Sequence, residues 1–431
     1  MIGKFFLFLR LSTFCFLMFS FYTFATEPGL HFVHIKAKNL QERSQVANII
    51  PIDQIIEDSI YSLVNEHDYN ILKKTLSHLI IESHFLTIKE LNARYQNDQN
   101  DDNDDNNDSI NADEDAFPNG EDAFHTYKEV NDELKAANVK YPKITQLLNI
   151  GKSLEGRDIN GIRISSQVNS PNIKNQMLPG ILFVSLHHAR EHVATEMPIK
   201  LMEYLLKNYD KDPVVKKLID SRDIYIVPMI NPDGGMFDIK DRTYQYWRKN
   251  RRDNGGGEFG TDLNRNYSYF WGTGGSSNDP SSDVYMGSKP FSEPETAALK
   301  NFVETHANIR VLLTFHTYSE LILYPWGHKN AGVGGKDEEV FVKMGQAMSL
   351  WNKYTPERAS DLYIASGDTC DWAYGEHQIF CFTFELSPKS GWFGGGFYPG
   401  AKAIEPTFNA NLKPMMYLLE YSDSPYRVLT E

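Results

Sequence analysis

Residues 180–206 read GILFVSLHHAREHVATEMPIKLMEYLL. The opening run, GILFVSL, is too short for a typical helix and too uniformly apolar for a strand with one wet face. It predicts a strand buried on both sides. After HHARE (187–191) the apolar residues return at helical spacing. A strand therefore ends and a helix begins across two histidines, an arginine and a glutamate. The same texture recurs downstream. RDIYIVPMI (222–230), RVLLTFHT (310–317) and IFCFTFEL (379–386) read as buried strands. EMPIKLMEYLLKNY (196–209), SEPETAALKNFVETHA (292–307) and EEVFVKMGQAMSLWNKY (338–354) read as amphipathic helices. Buried strands alternating with helices predict an α/β fold with a largely parallel sheet covered on both faces.

The chain has 431 residues, 41% hydrophobic, enough for one large domain or two with ample core. Its net charge of -14 is partly concentrated in NDQNDDNDDNNDSINADED, 97–115. That run cannot pack and reads as a solvated linker. Its dense oxygen ligands raise calcium binding as an alternative, but the spacing fits no EF-hand loop, and Ca2+ has no other support. The one dense basic run, WRKNRR (247–252), leads into a Gly-rich loop, so no nucleic-acid partner is expected. Residues 1–25 read as an export signal: Lys4 and Arg10, then LSTFCFLMFSFYTF, then Ala25. The alternative, an uncleaved anchor, is disfavoured because Arg10 leaves the apolar run short for a span. The expectation is a secreted or periplasmic protein without stable membrane association. Cys15 would leave with the signal. Cys370 and Cys381 remain, and the sequence leaves open whether they are bridged. Residues 27–96 read as a small α/β unit, with strands in LHFVHIKA, DSIYSLVNE and ESHFLTI and helices in NLQERSQVANII and DYNILKKTLSHLI.

In open α/β sheets, ligands bind beyond the carboxyl ends of the strands. There the sequence places His187–His188, His316, Glu385 and NPDGG (231–235). His188 and Glu191, separated by two residues at a strand-to-helix turn, can aim at one point, and His316 can complete a His₂Glu set. Three protein ligands with an open fourth position suit a catalytic zinc. His187 is expected to point away from it, on the opposite face of the strand. HxxE alone carries little weight.

Together, however, HARE (188–191), NPDG (231–234), WRKNRR, GTDLNRNY (260–267), TFHTYSELILYPWG (314–327), DLYIASGDTCDWAYG (361–375) and FTFEL (382–386) resemble, in order, the zinc carboxypeptidases of the carboxypeptidase A and B type, most of all bacterial carboxypeptidase T. The resemblance covers about residues 117–422. It implies a mixed, largely parallel eight-stranded twisted sheet, one Zn2+ per chain, and an exopeptidase acting as a monomer on peptides or proteins with a free C-terminus. His188, Glu191 and His316 would bind zinc, and Asp262 would orient His188. Glu385 would be the general base for a zinc-activated water, and Arg248 would stabilise the oxyanion. Asn264 and Arg265 would grip the terminal carboxylate. Tyr363 would close over the substrate, and Arg190 and Tyr318 would line upstream subsites. Asp368, Cys370 and Thr383 would shape the pocket for the departing side chain. Cys370 is neither the aspartate of basic-specific members nor the aliphatic of hydrophobic-specific ones, and Asp368 matches an aspartate of carboxypeptidase T. The implied preference is hydrophobic first, with basic residues tolerated. The bland alternative is that Asp368 caps a turn. Residues 26–96 resemble the family's propeptide, with 97–116 as the linker cut by an activating protease and 117–431 as the catalytic domain. A related zinc amidohydrolase acting on cell-wall peptides is the alternative enzyme.

Overall fold

The computed structural model describes residues 27–99, 116–168, 178–391 and 395–430. The export-signal reading and most of the Asp/Asn-rich run lie outside the described residues. A helix, Ile88–Gln99, runs into the first residues of the expected linker.

The N-terminal unit is an antiparallel sheet of β1 (Gly29–Lys36), β2 (Gln54–Ile56), β3 (Ser59–Val64) and β4 (Ile80–Thr87), in the order β2-β3-β1-β4. Two helices, Leu40–Ala47 and Glu66–Thr75, cover one face. Alternation decides what each face does. Val33, Ile35, Ile60 and Val64 build a core of their own with Val46 and Leu72. Phe32, Leu63 and Leu86 join the main core of the larger unit. One face of the small sheet is therefore packed by its own helices and the other against the rest of the chain, while the edge strand β4 stays largely exposed.

The larger unit holds β5 (Thr145–Lys152), β6 (Asp158–Ile164), β7 (Gly180–Ser185), β8 (Asp223–Val227), β9 (Ile309–Thr317), β10 (Leu321–Tyr324), β11 (Thr355–Arg358) and β12 (Phe380–Leu386). Their order is β11-β10-β12-β9-β7-β8-β6-β5. The centre is parallel: β12 with β9, β9 with β7, and β7 with β8. Antiparallel pairing enters where β6 meets β5 and β8, and where β10 meets β12. The eight-stranded, mixed, largely parallel sheet matches expectation. In β7, Ile181 and Phe183 enter the cluster packed by helices His192–Asn208, Gly335–Asn352 and Ile404–Tyr421. Leu182 and Val184 enter the cluster packed by Pro294–Thr305 and Thr369–His377. That two-sided burial is why the strand reads as an unbroken apolar run.

Candidate active site

Strand β7 stops at Ser185, and Leu186 adopts a left-handed backbone with φ 60°. Residues 187–191 then turn across the top of the sheet before the helix His192–Asn208 begins. His187 and His188 are thus not on opposite strand faces, as expected. They belong to the turn. His187 still points away from the cluster, because its Nε2 lies 2.9 Å from the Tyr267 hydroxyl and 3.1 Å from that of Thr369. Burial holds its pKa well below the ordinary histidine value.

Glu191 stands at the N-cap but makes no capping bond, because its carboxylate faces two histidines. Oε1 lies 2.7 Å from His188 Nδ1, and Oε2 lies 3.0 Å from His316 Nδ1. The two Nδ1 atoms face each other at 3.2 Å. All three side chains are buried. They form the one group of three potential ligands found close together among the described residues. Burial lowers the pKa of His316, which favours the neutral imidazole that binds metal. Burial would raise the Glu191 carboxyl, but the two imidazoles beside it, His188 and His316, outweigh that and hold it below the carboxylate range. Glu191 Oε2 is buried without a well-formed hydrogen bond. Converging nitrogens and an unsatisfied carboxylate oxygen fit a dication, and two imidazoles plus a carboxylate suit zinc with one position open.

Asp262 supports this set. Its Oδ1 lies 3.2 Å from His188 Nε2 and accepts the Asn264 N–H at 3.0 Å. Its Oδ2 accepts from Arg248 Nε and Nη2 at 3.1 and 2.9 Å. Burial pushes the Asp262 carboxyl up, but Arg248 and His188 outweigh it and keep it ionised. The basic run around Arg248 is no solvated face. Arg248 and Lys249 are buried, and Arg251 lies over the Phe237 ring at 3.6 Å.

Glu385 pairs in register with His316 across β12 and β9. Burial and the neighbouring Glu191 push its pKa well above the usual carboxylate value, against the pull of Arg248 and Arg265. Arg265 is buried, yet its Nε and Nη1 donate to the carbonyls of Gly275 and Asn264, at 2.7 and 2.8 Å. Asn264 Oδ1 accepts the N–H and hydroxyl of Thr369, both at 2.9 Å, which leaves its amide donors for a ligand. Tyr363 follows the short helix Ala359–Leu362. Burial raises its pKa, while Arg265 and Arg248 oppose the rise. Arg190 and Tyr318 are both buried.

The structure settles two open points near Cys370. Cys370 and Cys381 form a disulfide, which the sequence left open. Asp368 caps the helix Thr369–His377, accepting the N–H groups of Cys370 and Asp371 at 3.0 and 2.9 Å. The turn-capping alternative is therefore realised for Oδ1, while Oδ2 has no partner. Burial and Asp371 push this carboxyl up to about 8. The Thr383 hydroxyl lies 3.4 Å from Cys370 Sγ.

Sequence reasoning missed Phe397, whose ring takes the Arg190 guanidinium at 3.9 Å and meets Tyr318 edge-on. Its stretch, GWFGGGF, reads only as a loop. It also missed Asp53 of the N-terminal unit, which pairs with Arg190 at 2.7 Å.

The sequence profile of the peptidase M14 family, zinc carboxypeptidases, matches residues 130–414. A zinc carboxypeptidase of Saccharothrix mutabilis subsp. capreolus is 34% identical over 322 residues, covering 73% of each chain. Carboxypeptidase A2 of Rattus norvegicus is 32% identical over 313 residues, covering 71% of this chain and 72% of its own. The carboxypeptidase A structure from Helicoverpa armigera shares the fold at a TM-score of 0.69 with 24% identity, over 90% of this chain and 98% of its own. That span takes in the N-terminal sheet as well. This chain is a zinc metallocarboxypeptidase and belongs to the M14 family.

Proposed function

We propose that the enzyme removes single residues from free C-termini, hydrophobic ones first and basic ones more slowly. The observation that carries this is Arg265. Its guanidinium is buried beside the catalytic cluster, and its hydrogen bonds go to carbonyls rather than to a carboxylate, in contrast to Arg248 on Asp262. No carboxylate of the chain hydrogen-bonds this guanidinium, so its remaining donors are available to an anionic ligand. A terminal carboxylate matches the planar fork of arginine, with the Asn264 amide beside it. An internal peptide bond would leave those donors unpaired. A cell-wall amidohydrolase would share the metal set and Glu385, but the clamp favours the peptidase.

His188, Glu191 and His316 would hold the zinc, which when bound polarises a carbonyl and acidifies water. The chain's own residues do the rest. Glu385 takes a proton at its carboxylate and returns it to the leaving amine. Arg248, aligned by its two bonds to Asp262, presents its remaining donors to the oxygen that gains charge. Asp262 also fixes the ring of His188. Tyr363 closes the substrate in. Arg190, Tyr318 and Phe397 receive the residues upstream of the cut bond. Cys370 and Thr383 wall the departing side chain, and the unpartnered Oδ2 of Asp368 can receive a basic one.

The N-terminal unit reads as a propeptide. Asp53 occupies Arg190, and Gln54 bonds to the Lys389 carbonyl at 3.3 Å. A cleft of about 440 Å³ is lined by Ile52–Glu57 on one side and by Tyr318, Tyr363 and Glu385 on the other. Cutting in 97–116 by an activating protease would release it. Residues 1–25 would direct export, and the mature enzyme would act as a monomer.

The test uses the zinc-loaded chain cut in 97–116, with peptides ending in Phe, Leu, Arg, Lys, Glu or amidated Phe, and products read by mass. Phe and Leu should leave fastest, Arg and Lys more slowly, and the amide should survive. Equal cleavage of the amide would overturn the exopeptidase reading.

A further inference from the structure

One disulfide joins two parts of the site that must stay in register. Cys370 lies in the first turn of the helix Thr369–His377, and Cys381 lies on β12, with Cα atoms 5.0 Å apart. Both are buried, with exposures of 5% and 0%. A domain with two large apolar clusters does not need one short-range bridge to fold. Its position is more informative.

Three consecutive residues at this helix start each hold something different. Asp368 caps the helix by accepting the N–H groups of Cys370 and Asp371. Thr369 gives its N–H and hydroxyl to Asn264 Oδ1, which turns the Asn264 amide donors toward the ligand. Cys370 is bonded to Cys381, four residues before Glu385 on the same strand. Strand alternation puts Cys381, Thr383 and Glu385 on one face of β12. The Thr383 hydroxyl lies 3.4 Å from Cys370 Sγ. The bridge therefore links the element that orients the carboxylate clamp to the strand that carries the base. A C-terminal residue held at Asn264 and Arg265 with its peptide bond at Glu385 would place its side chain between these two elements.

We propose that the Cys370–Cys381 disulfide is a positioning element. It fixes the spacing between the Asn264–Arg265 clamp and Glu385, and with it the width of the space between them that the departing side chain enters. This deepens the carboxypeptidase reading above and rests on it. Opening the bridge frees the first helical turn from β12. The clamp then loses its alignment with the base, and the width of the space between them is no longer fixed.

The experiment compares the zinc-loaded full chain, nicked in 97–116, with its Cys370→Ser/Cys381→Ser and Cys370→Ala/Cys381→Val variants. A fourth sample is the wild type treated with a dithiol. The dithiol supplies two electrons and two protons and is oxidised to its own disulfide, leaving two thiols that are counted by titration. kcat and KM are measured for peptides ending in Ala, Leu, Phe and Arg, alongside zinc content and melting temperature. Loss of the bridge should raise KM for Leu and Phe by on the order of tenfold, more than it lowers kcat, and should compress the preference for Phe and Leu over Ala several-fold. The proposal is overturned if the thiols are free and zinc is retained while KM and the ranking stay within about twofold, since a lowered melting temperature alone would show a purely structural bond. If the oxidised wild type releases no C-terminal residue, the carboxypeptidase reading itself fails, and this proposal fails with it.

Discussion

Replacing Asp53 by Asn should unlatch the N-terminal unit without unfolding it. Asp53 Oδ1 sits 2.7 Å from Arg190 Nη2, with the two side chains 3% and 2% exposed. At that distance and an effective dielectric of ~20, the gross attraction is roughly 6 kcal/mol. Much of it is offset by desolvation. Burial outweighs Arg190 in setting the Asp53 pKa, which is held above the usual value. Breaking a buried pair by removing one partner typically costs about 3–5 kcal/mol. The strong desolvation puts Asp53 at the lower end, about 3 kcal/mol, or on the order of 100-fold in the closed-to-open ratio. Asn is chosen over Ala because Asp53 Oδ2 also accepts the Leu63 N–H at 2.9 Å, and the amide oxygen can keep that bond. The assay is residual turnover of a short peptide ending in Phe by the uncut, zinc-loaded chain. Asp53→Asn should raise it by on the order of 100-fold relative to uncut wild type. Lys36→Ala is the control. It breaks a solvent-screened pair with Asp58 whose members are 41% and 37% exposed, so turnover should stay close to that of uncut wild type. If the uncut Asp53→Asn chain is as silent as wild type while its nicked form is active, the Asp53–Arg190 pair does not hold the cleft shut.

Glu385→Gln should lower kcat by about 10²–10⁴-fold with zinc content unchanged, as read by turnover and metal analysis; an unaltered kcat would remove Glu385 as the base. Asp262→Asn withdraws the anion from both His188 and Arg248, and should weaken zinc binding by about 10–100-fold in competition with a chelator. Docking of the N-terminal unit should also depend on pH through Asp68, which accepts the Asp283 N–H at 2.8 Å. Burial and Asp283 push the Asp68 carboxyl up to about 8 from 3.8, against the pull of Lys249. The docked state thus holds an extra proton between these values, so docking is tightest below the lower one and weakens as pH climbs to the higher. In the nicked chain the unit should separate more readily at pH near 9 than near 6 on size exclusion, and Asp68→Asn should flatten that difference.

The legible parts of the sequence share a physical origin. Strands β7, β8, β9 and β12 are buried on both faces, so their composition alone distinguishes them from everything around them. Each polar residue that interrupts such a run at its carboxyl end, His188, His316 or Glu385, stands out because burying it without a purpose costs free energy. Of the large-sheet strands that were not read, β5 and β11 are the partly wet edges, with Asn, Gly or Pro that looks like loop. Buried β6 is interrupted by an Asn-Gly pair, and buried β10 is only four residues long.

The missed site residues fail for a different reason. Phe397 and Asp53 act only through long-range contacts with Arg190, from a glycine-rich loop and from a separate sheet. Nothing local marks either one. Cys370 shows both sides of this. The sequence marks it as anomalous for the pocket, yet only the fold brings Cys381 within bonding distance, because the helix start and β12 are neighbours in space. What a sequence states locally is therefore which groups are expensive to bury. Which partner repays that cost depends on the crossing of elements far apart in the chain. Arg265 is the residue where the two questions meet: the sequence marks its motif, and only the fold shows that its hydrogen bonds go to the carbonyls of Gly275 and Asn264.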